Sequence, residues 1–171
     1  MNELAITVIG RDRPGIVADV AEVLARLGAN LTDSTMTRLR GHFAMTLICT
    51  GPAAPAEVEA ALAPLAAEGQ LLATVRAVTP DSEVPVAGEP YVLAVHGSDR
   101  MGIVAAMTRV LVDAGGNVTD LSTRLAGSLY VVLAEVELPA GVADELVDRL
   151  HRTAAELGVE VTLRPADPDL L

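Results

Sequence analysis

Short β-rich runs and helical stripes of apolar residues alternate along the chain. Leu4-Ala5-Ile6-Thr7-Val8-Ile9 is a short β-rich run, and a helical stripe follows at Ile16, Val17, Val20, Val23, Leu24 and Leu27. Gly28 is placed to end that helix. Asn30 to Leu39 and His42 to Thr50 read as two strands around an Arg40-Gly41 turn, Ala56 to Glu68 as an Ala-rich helix and Leu71 to Val78 as a closing strand. The same order returns at Tyr91 to His96, Met101 to Ala114, Asn117 to Leu125, Leu129 to Leu138, Val142 to Leu157 and Val159 to Leu163. The pattern predicts an α+β protein of two ferredoxin-like βαββαβ halves, each an antiparallel four-stranded sheet with two helices on one face.

The recurrence is visible residue by residue. Val8 to Asp33 reappears at Val95 to Asp120, displaced by 87 positions, with about half the residues identical, among them Gly10/Gly97, Asp12/Asp99, Arg13/Arg100, Gly15/Gly102 and Asn30/Asn117. Beyond Asp33 the best match slips by one, setting Thr37-Arg38-Leu39 against Thr123-Arg124-Leu125, which predicts a bulge in one copy. The domains are expected at 1–79 and 90–164, joined by a Pro- and acid-containing linker at 80–89 and followed by a tail at 165–171.

Composition narrows the function. Half the residues, 51%, are hydrophobic but only three are aromatic, so the cores must be aliphatic. A formal charge of −11 is the wrong sign for direct nucleic-acid contact, whose affinity comes from neutralising phosphates. A single cysteine, Cys49, excludes an intrachain disulfide and reads as a small buried strand residue in a reducing compartment. The N-terminus lacks a signal-peptide pattern and no apolar run is long enough to span a bilayer, so a cytoplasmic protein without membrane partners is expected. His42, His96 and His151 share no metal-ligand spacing; neither metal nor cofactor is expected, and no nucleophile–base pairing points to an enzyme.

The informative chemistry is the turn Gly10-Arg11-Asp12-Arg13-Pro14-Gly15. Pro14 suits a first helical position, and the open N–H groups of a helix start favour a carboxylate. No GxGxxG or GK[ST] spacing occurs, so a small anion fits better than a nucleotide. Asp12 and Asp99 have two readings, as helix caps or as partners of a ligand ammonium; Arg13 and Arg100 are either paired with a neighbouring acid or ligand clamps. Asn30 and Asn117 are expected beside the turn, where an amide would serve both ends of an amino acid; the alternative is local bonding at the helix exit. Asp33 and Asp120 fit either cross-strand bonds or a domain interface.

These motifs resemble the ACT domain, a small-molecule-binding regulatory module, present twice. The DRPG turn and the NLTDSTM strand are most similar to the glycine cleavage system transcriptional repressor family, and the likeness is strongest in 4–51 and 91–125. The resemblance implies amino-acid binding at an ACT–ACT interface by Asp12, Arg13, Pro14, Gly15, Ile16 and Asn30, and by Asp99, Arg100, Gly102, Ile103 and Asn117. It also implies a ligand such as glycine or serine, a regulatory protein partner through which transcription is controlled, and a homodimer. Met101 departs from the motif's proline, Leu121 stands where the first copy has Ser34, and Gly10 and Gly97 occupy a position that is polar in many such sites. A ligand-free interaction module is the alternative, its exposed strand edges docking partners.

Overall fold

The computed structural model describes residues 1–69, 71–79 and 88–166 and divides into two units, Met1–Glu83 and Val84–Leu171. The expected linker at 80–89 lies outside the described residues except for its last two positions, and the tail at 165–171 except for its first two. In the first unit the elements are β1 (Asn2–Arg11), α1 (Ile16–Arg26), β2 (Asn30–Leu39), β3 (His42–Gly51), α2 (Pro55–Gly69) and β4 (Leu71–Ala77). In the second they are β5 (Glu89–Ser98), α3 (Ile103–Asp113), β6 (Asn117–Ala126), β7 (Leu129–Leu138), α4 (Ala143–Leu157) and β8 (Val159–Pro165).

Each unit is a ferredoxin-like βαββαβ fold. The sheet orders are β2-β3-β1-β4 and β6-β7-β5-β8, with every neighbouring pair antiparallel. Strand alternation sets one face inward: Leu4, Ile6 and Val8 on β1 and Phe43, Met45, Leu47 and Cys49 on β3 are buried. They pack against Ile16, Val20, Val23 and Leu24 of α1 and Val58 and Leu62 of α2. The second core repeats this with Leu93 and Val95, α3 residues Ile103, Met107 and Leu111, and α4 residues Leu146, Leu150 and Ala154. Among the described residues no polar or charged side chain is buried, so both cores are held by apolar burial and close packing alone.

Two expectations about α1 need correction. Val17, assigned to the apolar stripe, is 43% exposed: the buried arc runs 16, 20, 23 and 24, and Val17 falls off it by one residue's rotation of about 100°. The helix also begins later than Pro14, as shown below. Its end is as expected. Gly28 has a φ of 69°, its N–H donates to the Ala25 carbonyl and the Ala29 N–H to the Leu24 carbonyl, the pair of hydrogen bonds that closes a helix on a left-handed glycine.

The anticipated bulge in one copy is a bulge in both. Register shifts between Leu31 and Asp33 on β2 and between Val118 and Asp120 on β6. The 87-residue offset holds through β2/β6 and β3/β7, so the matching Thr-Arg-Leu triplets are not structurally equivalent; Arg40 corresponds to Gly127 and Gly41 to Ser128. No helix among the described residues is long and apolar enough to cross a membrane.

Burial on α1 separates two substitutions. Leu24→Ala, at a fully buried position, is expected to lower stability by about 2–5 kcal/mol, whereas Val17→Ala changes it by less than about 1 kcal/mol; urea unfolding followed by circular dichroism measures both.

Candidate functional site

The first turn leaves the end of β1. Arg11 pairs with His42, and the Asp12 N–H then donates to the Gly41 carbonyl at 3.0 Å, tying the turn to the tip of the β2–β3 hairpin. The Asp12 carboxylate accepts from the Arg38 guanidinium at 3.3 Å. Arg13 forms an ion pair with Asp19 of α1 at 2.6 Å and donates to the Pro14 carbonyl at 3.2 Å. Arg13 is therefore the paired arginine, its partner being an acid six residues along the chain.

Asp12 does not cap α1, nor does Asp99 cap α3. The N-caps are Gly15 and Gly102, both left-handed with a φ of 90° and without a side-chain cap. A left-handed cap excludes most side chains, which is the reason glycine stands there. The first intrahelical bonds come from Asp19 to the Gly15 carbonyl and from Ala106 to the Gly102 carbonyl, both 2.9 Å. Pro14 thus lies before the cap, outside the helix. The N–H groups of the first turn have no intrahelical acceptor and no capping oxygen, so they are the donors an incoming carboxylate would meet. Ile16 and Ile103 are 2% exposed and belong to the cores; only their backbone faces the turn.

The second turn differs in charge placement. Asp99 and Arg100 are exposed, whereas Asp12 and Arg13 are half-buried. Ala106 occupies the position of Asp19, and the Arg100 guanidinium instead lies against Gly158, where a Cβ would come within 3.4 Å of it. Gly158 caps the C-terminus of α4, an end that attracts a cation. Met101 is 98% exposed in place of Pro14.

Asn30 is not beside the turn. It pairs with Thr50, which pairs with Glu3, while the turn follows Gly10, which pairs with Phe43. Glu3 and Gly10 are seven residues apart on β1, about 23 Å at the usual rise. Asn117 is displaced in the same way, reaching Pro90 through Glu137 whereas Gly97 meets Tyr130. The cause is the crossover itself: α1 carries the chain back across the sheet, so β2 runs parallel to β1 and starts at the far end. Both asparagines are exposed at the start of an edge strand. Asp33 and Asp120 follow the bulges, and the bulged Thr32 hydroxyl donates to the Ile48 carbonyl at 3.3 Å.

Arg38, Asp19 and Gly41 were not singled out from the sequence. The signal for Arg38 was the topology: β3 pairs with β1, so the hairpin tip must lie beside the turn. Of the histidines, His42 and His151 are exposed and His96 lies 3.5 Å from Glu160 on β8. Cys49 is buried, and burial pushes its thiol pKa up, away from reactivity.

Comparison with known proteins gives a consistent set. The ACT domain family model matches residues 2–76 and again 89–164. A crystal structure of an unknown protein from Galdieria sulphuraria is 31% identical with a TM-score of 0.80, covering 97% of this chain and 99% of that one. A candidate glycine cleavage system transcriptional repressor, 20% identical with a TM-score of 0.74 over 97% and 98% of the two chains, has the same fold. A UPF0237 protein of Methanopyrus kandleri is 50% identical over 48 residues, 28% of this chain and 53% of that protein. The chain thus spans about half the length of that relative. Another, from Methanocaldococcus jannaschii, is 32% identical over 78 residues, 44% of this chain and 87% of the relative.

The glycine two positions before Asp99 has a packing cause. A Cβ on Gly97 would lie 2.9 Å from Val159 Cγ1 and 3.0 Å from Val159 Cα. Gly97→Ser, which would supply the polar group common at such positions, is expected to destabilise the chain by about 1–3 kcal/mol through overpacking. A thermal melt of that variant against wild type measures the loss.

Proposed function

The chain belongs to the ACT domain family, matched once in each unit, and on that premise we propose that it is a non-enzymatic, cytoplasmic regulatory protein that binds a small amino acid. The observation that carries this reading is the uncapped start of α1 beside half-buried Asp12 and Arg13. A ligand carboxylate takes the N–H groups of the Gly15–Ile16 segment and faces the Arg13 guanidinium; the ligand ammonium takes the Asp12 carboxylate. Pro14 fixes the backbone of the turn, and the ligand is a small amino acid such as glycine or serine. The name of the similar repressor structure supports glycine.

Asn30 joins this site from a second copy of the chain. β2 is an edge strand with its outer side unpaired in the unit. Placing two β2 edges antiparallel sets the Asn30 end of one beside the Leu39 end of the other, and the Leu39 end carries the turn. The ligand thereby bridges two chains and strengthens a homodimer. Asp99, Arg100, Gly102, Ile103 and Asn117 form the corresponding second site, which is the weaker of the two: its acid and arginine are exposed, and the carboxylate that holds Arg13 has no counterpart there.

Ligand binding alters the chain's contact with a regulatory protein. With a charge of −11, any transcriptional effect passes through a DNA-binding partner rather than through direct contact with phosphates. The unpaired β2 edge also favours a second reading, a ligand-free docking module that adds strands to its sheet.

A thermal-shift panel of the standard amino acids separates the two. Glycine or serine at about 100 times its dissociation constant should stabilise by about 2.7 kcal/mol, Asn30→Ala should abolish the shift, and Asn117→Ala should leave most of it. Sedimentation velocity should show the same ligand tightening the dimer. A panel without any selective shift supports the docking module instead.

A further inference from the structure

An acidic chain has gathered cations at one end of its first unit. The sequence contains no lysine, and four of its twelve arginines, Arg11, Arg13, Arg38 and Arg40, lie with His42 around the β1 exit and the β2–β3 hairpin. Two of them are engaged, Arg13 by Asp19 and Arg38 by Asp12. Arg11 and Arg40 have no carboxylate within 4 Å among the described residues. Together with Gly10, Gly41 and His42 they line an open cleft of about 520 Å³, a volume in the range of small-molecule sites.

The hairpin shows that Arg40 is held there at a cost. It has a φ of 50° and is the one non-glycine residue with positive φ among the described residues, followed by Gly41 at 82°. Two positive φ values in a two-residue hairpin make the turn that favours Asn-Gly. An arginine in the left-handed region costs about 1–2 kcal/mol. The second unit avoids the cost, since Gly127, with a φ of 64°, occupies the equivalent position. The second unit also lacks the cleft's other arginine and its histidine, since Ser98 corresponds to Arg11 and Leu129 to His42.

We propose that this cleft binds a small molecule bearing a phosphate or diphosphate group. Arg11 and Arg40 both line the cleft, and a guanidinium's planar, paired N–H donors match phosphate oxygens; the His42 imidazole lines it as well. The cleft uses none of the residues assigned to the amino acid, so the two sites stand or fall separately.

Isothermal titration of the full chain with inorganic pyrophosphate at low ionic strength tests it. Arg40→Gly keeps the left-handed turn and relieves its strain, so the variant folds; Arg11→Gln removes the second cleft charge. Arg124→Gln removes an exposed arginine from the second unit and controls for net charge. The expected result is saturable binding, weakened about tenfold or more by either cleft substitution and unchanged in Arg124→Gln and in Asn30→Ala. Absence of binding at millimolar pyrophosphate, or equal weakening by Arg124→Gln, overturns the proposal.

Discussion

The packing of α1 across a single face of its sheet decides where every polar residue of interest ends up. With no polar side chain buried among the described residues, each unit is held by two aliphatic surfaces, the inward face of the strands and the buried arcs of the helices. To bury Ile16, Val20, Val23 and Leu24, α1 must run back along the sheet for its eleven residues, about 16 Å. Its start and its exit therefore lie at opposite ends. The turn that opens the helix and the asparagine that follows it are close in sequence and far apart in space. β2, which carries that asparagine, is an edge strand of its four-stranded sheet.

The two copies share this frame and spend it differently. In the first unit the turn is fastened on two sides, by Asp12 to the hairpin and by Arg13 to α1. In the second, the arginine turns toward the end of α4 and the acid stands exposed. The cores keep apolar residues at corresponding positions but change their sizes, as at Met45/Val132 and Leu47/Ala134, because both must fill the space between four strands and two helices. At the turn the residues Asp-Arg-x-Gly recur in both copies, and it is their partners that differ.

Much of the fold was legible in local pattern. β2 and β7 begin and end where the strands were expected, at Asn30–Leu39 and Leu129–Leu138, and Gly28 closes α1 where a helix-ending glycine was expected. The errors cluster at the turn and along β2. Pro14 fits a first helical position by its own preference, but the left-handed Gly15 behind it moves the helix start to Ile16. The slipped Thr-Arg-Leu match mimicked an insertion, yet strand pairing keeps the offset at 87 and places a bulge in each copy. Asp12 resembles a cap, but a guanidinium from a strand 26 residues away claims it.

The sequence by itself determined the duplication and the order of elements, since these follow from side-chain pattern within a few neighbouring residues. Only the tertiary structure decided that Asn30 sits at the far end of the sheet from the turn, that Arg13 belongs to Asp19 and Arg38 to Asp12, and that Arg11, Arg40 and His42 share a cleft. Those relations depend on strand register and on the direction in which a helix crosses its sheet. Both are fixed by burying two apolar surfaces against each other, a property of the whole unit that no local stretch of residues contains.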